Sequence, residues 1–248
     1  MFIFSAAVLG LILGSFLNAL LFRFNTGKSV LRGRSRCMHC GHRLAAIDLV
    51  PVLSYLYLMG KCRYCRSLLS IQYPIVEAAA AALSVLVYLQ NPEPLHYALG
   101  LAVWMTLLFI VVYDLRHQII PWSSSGLLAA LSLFHVWTLG FDVWSLAAGP
   151  LLAVPLLLLS LVSRGRWMGW GDGALELGLG WLLGLTAGLT AFMLAFWAGA
   201  VVGILLMLVS KRVTMKSEVP LAPFLIFGAA CAYFLHVDFF PTLPAFFF

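Results

Sequence analysis

Long apolar runs set the pattern of this chain. Uninterrupted stretches lie near residues 2–22, 73–91, 95–113, 119–139 and 143–163, each close to the roughly 17–25 residues a helix needs to cross a bilayer. A further block, 174–209, is too long for one helix and is expected to fold as two, hinged near Gly184 to Gly188, and the last run covers 220–237. The pattern predicts an all-α, polytopic integral membrane protein with about eight transmembrane helices. One sizeable polar region interrupts it, residues 23–72, which separates a first helix (1–22) from a multi-helix domain (73–248). Inside that region Ile47 to Met59 is apolar. At about 13 residues it is too short to span, and it is expected to pack beneath the polar segment or lie at the interface.

Composition agrees with this pattern. The chain is 63% hydrophobic and 10% charged, with a mean hydropathy of +1.02, far from the roughly one quarter charged residues of soluble domains. With the N-terminus outside, the inside segments are 23–72, 114–118, 164–173 and 210–219, and they hold all 15 Lys and Arg residues. Glu93, Asp142 and Asp238 then face outward. This is the positive-inside asymmetry, and it places both termini outside. The net charge of +6 follows from that topology and from attraction to anionic lipid, so no nucleic-acid partner is implied. The first apolar run has no basic segment before it and no small-residue cleavage site, so it is expected to be a retained helix rather than a signal peptide.

The polar region contains Cys37-Met-His-Cys40 and Cys62-Arg-Tyr-Cys65, separated by 21 residues. Paired Cys-x-x-Cys knuckles read as a tetrahedral zinc site, and a cytoplasmic position keeps the thiols reduced, which favours metal over disulfides.

Two of the nine acidic residues, Asp114 in Tyr-Asp-Leu-Arg and Asp172 in Gly-Trp-Gly-Asp-Gly, sit at the ends of apolar runs, both on the inside face. Carboxylates near hydrocarbon are costly and are functional candidates by default. Taken singly, Asp114 suits an ion pair with Arg116, and Asp172 suits an N-cap for a helix starting near Ala174. Taken together, two carboxyls that share a proton can activate water against a peptide carbonyl. Glu176, one turn beyond Asp172, is expected on the same helix face as a modulator. Glu77 suits either a cationic ligand or the positive end of its helix. Ser15 and Asn18 are expected to bond across helices, with Gly14 permitting close packing.

These elements resemble one family. Gly14-Ser15-Phe16-Leu17-Asn18 with Arg23, the cysteine pairs, Tyr73-Pro74-Ile75-Val76-Glu77, Asp114 with Ile120-Pro121, Gly169-x-Gly171-Asp172, and Pro220-Leu221-Ala222-Pro223-Phe224-Leu225 together are similar to the type IV prepilin peptidases. The resemblance implies an aspartyl endopeptidase of the Gly-x-Gly-Asp type, with Asp114 and Asp172 catalytic, in the bacterial inner membrane. It also implies prepilin or pseudopilin substrates and methylation of the new N-terminus with S-adenosylmethionine; no nucleotide-binding glycine loop is present. The chain departs from the family pattern after Asp172, where Gly173-Ala174-Leu175-Glu176 replaces an aliphatic residue followed by lysine. Two rival functions fit the same residues: a proton-coupled transporter that relays protons through its acids, and a membrane-anchored zinc scaffold.

Overall fold

The computed structural model describes residues 3–27, 29, 35–140, 143–166, 168–209 and 219–241. Asp142, Lys28, Arg32, Arg34, Lys211, Arg212 and Lys216, which enter the topology argument, lie outside the described residues. Among the described residues the regular elements are helices, with no strand beyond two isolated bridges. They fall into two compact units, Met1–Phe109 and Ile110–Phe248.

The first unit contains α1 (Ile3–Arg23), a 3-10 turn (Ala46–Leu49), α2 (Leu53–Tyr57), α3 (Gln72–Gln90) and the first two thirds of α4 (Pro94–His117). Small residues let α1 and α3 meet closely. A Cβ on Gly14 would stand 2.7 Å from the Glu77 Cα, and one on Gly10 would stand 2.6 Å from the Ala80 oxygen. Polar groups then bond across the helix pair, as expected from the sequence. Asn18 donates to the Tyr73 carbonyl at 3.1 Å and accepts from Gln72 at 3.3 Å. Deeper along the pair, Ser84 donates to the Ala6 carbonyl at 2.6 Å. Such bonds average about 0.6 kcal/mol in membrane proteins, so they fix register more than they supply stability. The apolar stretch Ile47 to Met59 does not cross. It forms only the 3-10 turn and the five-residue α2.

The second unit contains the end of α4, then α5 (Trp122–Leu139), α6 (Val143–Ser163), α7 (Trp170–Val209) and α8 (Ala222–Leu235). Pro121 caps α5 with φ −66°, the angle its ring dictates. A straight α7 of 40 residues would be about 60 Å long, twice the hydrocarbon thickness. It breaks instead at Gly184, with φ +76° and ψ −177°, inside the hinge expected from the sequence. Helix α7 is the centre of this unit and packs on α5, α6 and α8. Among the described residues five helices, α1, α3, α4, α6 and α7, are long and apolar enough to cross a membrane, while α8 is shorter. One boundary differs from expectation. Helix α7 starts at Trp170 rather than near Ala174, because Gly169 caps it and leaves Asp172 inside the first turn.

Candidate active site

In the first unit the two knuckles fold alike. The Cys37 N–H donates to the His42 carbonyl at 3.0 Å, and the Cys62 N–H donates to the Ser67 carbonyl at 2.8 Å. Each turn closes through a residue at positive φ just after its second cysteine, Gly41 at +69° and Arg66 at +59°. Stacking of His42 on Tyr64, with centroids 3.7 Å apart, joins the knuckles. Asp48 of the 3-10 turn pins the second knuckle through Arg63 at 2.6 Å and the Tyr64 hydroxyl at 3.1 Å.

Cys37, Cys40, Cys62 and Cys65 converge, with all four sulfurs within 4.8 Å of one another. The Cys37 and Cys65 sulfurs are 3.9 Å apart. A tetrahedral zinc with bonds of about 2.3 Å needs sulfur separations of about 3.8 Å, so the four thiols fit that ion. Two of the thiols are lowered, while Cys40, against the His42 N–H, is pushed up to about 11 by burial and by the neighbouring Cys65 and Cys37 thiols. The Cys40 backbone N–H draws the Cys37 thiol down to about 6, against the opposing effect of burial. Hydrogen bonds from Ser67 lower that of Cys65.

Beside the cysteines lies a cavity of about 490 Å³, bounded by Asn18 and Phe22 of α1, Tyr55 of α2, and Tyr73 and Glu77 of α3. Arg23, Arg36, Arg63 and Asp48 also line it. Glu77, 7% exposed, accepts the Val52 N–H at 2.7 Å and a hydrogen bond from Ser15. Val52 has φ +61° and ψ −50°, and the Leu53 N–H bonds back to the Pro51 carbonyl at 2.6 Å. This is a γ-turn of the strained hand, a conformation that is an outlier for a β-branched residue. The carboxylate of Glu77 holds it in place.

The second unit gathers the other candidates. Asp114, in the last turn of α4, is 4% exposed and accepts a hydrogen bond from the Ala222 N–H, the first residue of α8. A helix N-terminus carries roughly half a positive charge, so α8 supports a carboxylate there. Asp114 Oδ2 is buried without a hydrogen-bond partner. Asp172 is the third residue of α7, and its Oδ2 accepts the Gly169 N–H at 3.2 Å. It is not an N-cap. Its side chain reaches back from the first turn to the capping residue, as the acid of a capping box does. Asp114 lies within electrostatic reach of Asp172, and Asp172 within reach of Glu176.

The α4–α5 connection and α6 shape the Gly169–Gly173 turn. A Cβ on Gly171 would lie 2.8 Å from the Ile120 Cβ, and one on Gly173 would lie 2.7 Å from the Leu157 Cγ. These glycines serve close approach, since neither has positive φ. Ser160 of α6, fully buried, donates to the Met168 and Gly169 carbonyls at 3.0 and 3.1 Å. The roles of Ser160, Asp48 and Ala222 were missed in the sequence. A hydroxyl among four leucines of α6 was the one visible signal for Ser160.

The architecture is that of a helical membrane protein with a four-cysteine insertion in one unit and a group of buried and half-buried carboxyls near helix ends in the other. Two family profiles match it: the bacterial peptidase A24 N-terminal domain over residues 8–91, and the type IV leader peptidase family over residues 99–204. A prepilin leader peptidase/N-methyltransferase of Myxococcus xanthus (strain DK1622) is 34% identical over 220 residues, covering 85% of this chain and 65% of that protein, slightly under two thirds of its length. Proteins of the same name from Burkholderia pseudomallei (strain 1026b) and Pseudomonas putida are each 32% identical. The first alignment covers 96% of this chain and 87% of the relative, and the second 90% and 87%. No solved structure matches. The chain belongs to the type IV leader peptidase family.

Proposed function

We propose that the chain is an intramembrane aspartyl endopeptidase that removes the leader peptide from prepilin or pseudopilin precursors at the cytoplasmic face of the bacterial inner membrane. The names of its relatives support the substrate class. The observation that carries the reading is the pairing of Asp114 and Asp172, each bonded to a backbone N–H at a helix N-terminus and within electrostatic reach of the other. Like charges that interact resist joint ionisation, which splits the pair into a base and an acid. The base takes a proton from water as its oxygen attacks the scissile carbonyl. The acid protonates the carbonyl oxygen. Collapse of the tetrahedral intermediate breaks the C–N bond, returns the hydroxyl proton to the acid, and passes the base's proton to the leaving amine. The basic leader stays at the inside face, where the Lys and Arg asymmetry puts both aspartates.

The same reading includes methylation of the new N-terminal amine, carried by the cavity of the first unit. Its volume of about 490 Å³ lies in the range of about 300–1,000 Å³ for small-molecule sites. Its lining mixes acids (Asp48, Glu77), guanidinium groups (Arg23, Arg36, Arg63) and aromatic faces (Tyr55, Tyr73). That mix suits a zwitterion with an added cationic centre, which S-adenosylmethionine is. When bound, S-adenosylmethionine supplies the methyl group. Zinc would be held by Cys37, Cys40, Cys62 and Cys65 and would act structurally, since four thiolates leave no open position.

The test is cleavage of a purified prepilin in liposomes by the wild type and by Asp114→Asn and Asp172→Asn, read by mass spectrometry. Loss of at least about 10²–10⁴-fold in each variant is expected. Full turnover by either variant removes that residue from the dyad. A folded wild type that transports protons but cleaves nothing would favour the transporter.

A further inference from the structure

Helix α2 has the sides of a water-facing segment reversed. Leu53, Leu56 and Tyr57, which share one face at i, i+3 and i+4, are 65%, 63% and 80% exposed. The other face, Ser54, Tyr55 and Leu58, lines the cavity of the first unit. Hydroxyls turn inward and large apolar groups outward, as in a helix that lies with one face in acyl chains.

Hydrogen bonds fix the depth of α2. Its entry turn is held by Glu77, which accepts the Val52 N–H at 2.7 Å. Along the antiparallel pair of α1 and α3, Glu77 stands opposite Gly14 and Tyr73 opposite Asn18. The apolar run of α1 continues to residue 22, so these two levels lie about 12 and 6 Å inside its end. A side chain leans towards the start of its own helix, here from the Glu77 level towards that of Tyr73, and the Val52 turn therefore lies within the apolar band. Ile75 of α3, between the two levels, is exposed as well. From the turn, α2 climbs outward. Tyr55 donates to the Leu69 carbonyl and the Leu69 N–H to that of Gly60, just before α3 begins at Gln72. Exposed Lys61 follows, bridged to Leu68.

The backbone of the turn also suits lipid, where donors must find partners within the protein. Pro51 has no N–H. Val52 donates to Glu77, Leu53 to the Pro51 carbonyl, Ser54 to that of Val50 and Leu56 to that of Val52.

We propose that α2 is an interfacial helix dipped into the leaflet at the Arg23 end of α1, with Leu53, Leu56 and Tyr57 against phospholipid acyl chains and Lys61 at the headgroups. A lysine stem covers apolar surface while its ammonium stays in water, and anionic headgroups attract it. Lipid then backs the cavity wall that carries Ser54 and Tyr55. This placement stands whether or not Asp114 and Asp172 cleave prepilin.

The experiment puts the photo-crosslinking residue p-benzoylphenylalanine at Leu53, Leu56 or Tyr57 of the full chain in native membranes, and reads adducts by mass spectrometry after irradiation. Ile12, exposed in the middle of α1, is the lipid-facing reference. The expected result is a mass gain of one phospholipid, attached through an acyl chain, at Leu53 and Leu56 as at Ile12. Absence of that adduct at Leu53 or Leu56 overturns the placement. A protein adduct in its place also overturns it and gives the face to a partner protein or a second copy. Tyr57 is replaced by an aromatic of similar shape, so its variant carries the same decision if the other two do not accumulate.

Discussion

At the scale of single residues, two buried side chains hold backbone that would not otherwise stay in place. Ser160 satisfies the Met168 and Gly169 carbonyls just before Asp172. Ser160→Ala leaves those carbonyls without their donor, at a cost of about 1–3 kcal/mol, and frees the turn that carries the Asp172 side chain. The expected result is a lower thermal midpoint together with a kcat loss that exceeds the change in KM, measured on prepilin in detergent. Glu77 holds the strained γ-turn at Val52. Glu77→Gln keeps the shape but replaces a charge-assisted bond, roughly twice as strong, with a neutral one. It is expected to weaken binding of labelled S-adenosylmethionine while prepilin cleavage continues; unaltered binding removes Glu77 from any role in that binding. The identity of the acids was legible in the sequence, because a carboxylate beside an apolar run is conspicuous. Their partners were not, because the Val52 and Gly169 N–H groups are backbone groups, and every residue except proline carries one.

At the scale of elements, hydropathy located the helices well and their ends less well. The hinge near Gly184 was visible as a length that no bilayer accommodates, and the structure puts a glycine-only conformation there. A Cβ at Gly184 would meet nothing within 4 Å, so Gly184→Ala carries a purely conformational cost of about 1–3 kcal/mol, read as a drop in thermal midpoint. The start of α7 was misread because Asp is a common N-cap, and nothing in a lone sequence shows that Gly169 takes that place and Asp172 reaches back to it. The two glycines flanking Asp172 separate by what they meet. Gly171→Ala collides with the Cβ of Ile120, which every residue but glycine shares, so Ile120→Ala does not restore stability. Gly173→Ala collides with the end of Leu157, so Leu157→Ala does. Both double-mutant cycles read the coupling directly, and equal rescue at the two sites would mean that the turn moves as one piece rather than against separate neighbours.

At the scale of the whole molecule, the cysteine cluster and the carboxyl cluster belong to different units, so perturbing one leaves a readout in the other. Thiolates bind metal in competition with protons. The Cys37 thiol, drawn down to about 6, is ionised at neutral pH and regains its proton as pH falls through that value, and the Cys65 thiol is lowered as well. Purified protein is therefore expected to hold one zinc ion per chain at neutral pH and to lose it on acidification through that range, measured by metal analysis after desalting. Absence of metal at neutral pH with all thiols reduced would leave the cysteines without this role. The orientation that gives the chemistry its meaning can be tested in the same way, by position. Met59, on the insertion, and Val143, at the start of α6, are both about four-fifths exposed, and the proposed orientation, with the basic segments inside, puts them on opposite sides of the membrane. With Cys substituted at each, a membrane-impermeant thiol reagent is expected to label Val143→Cys from outside intact spheroplasts and Met59→Cys only in inverted vesicles. The reverse pattern would turn both aspartates outward, away from the compartment in which a basic leader awaits cleavage, and the peptidase reading would lose its substrate.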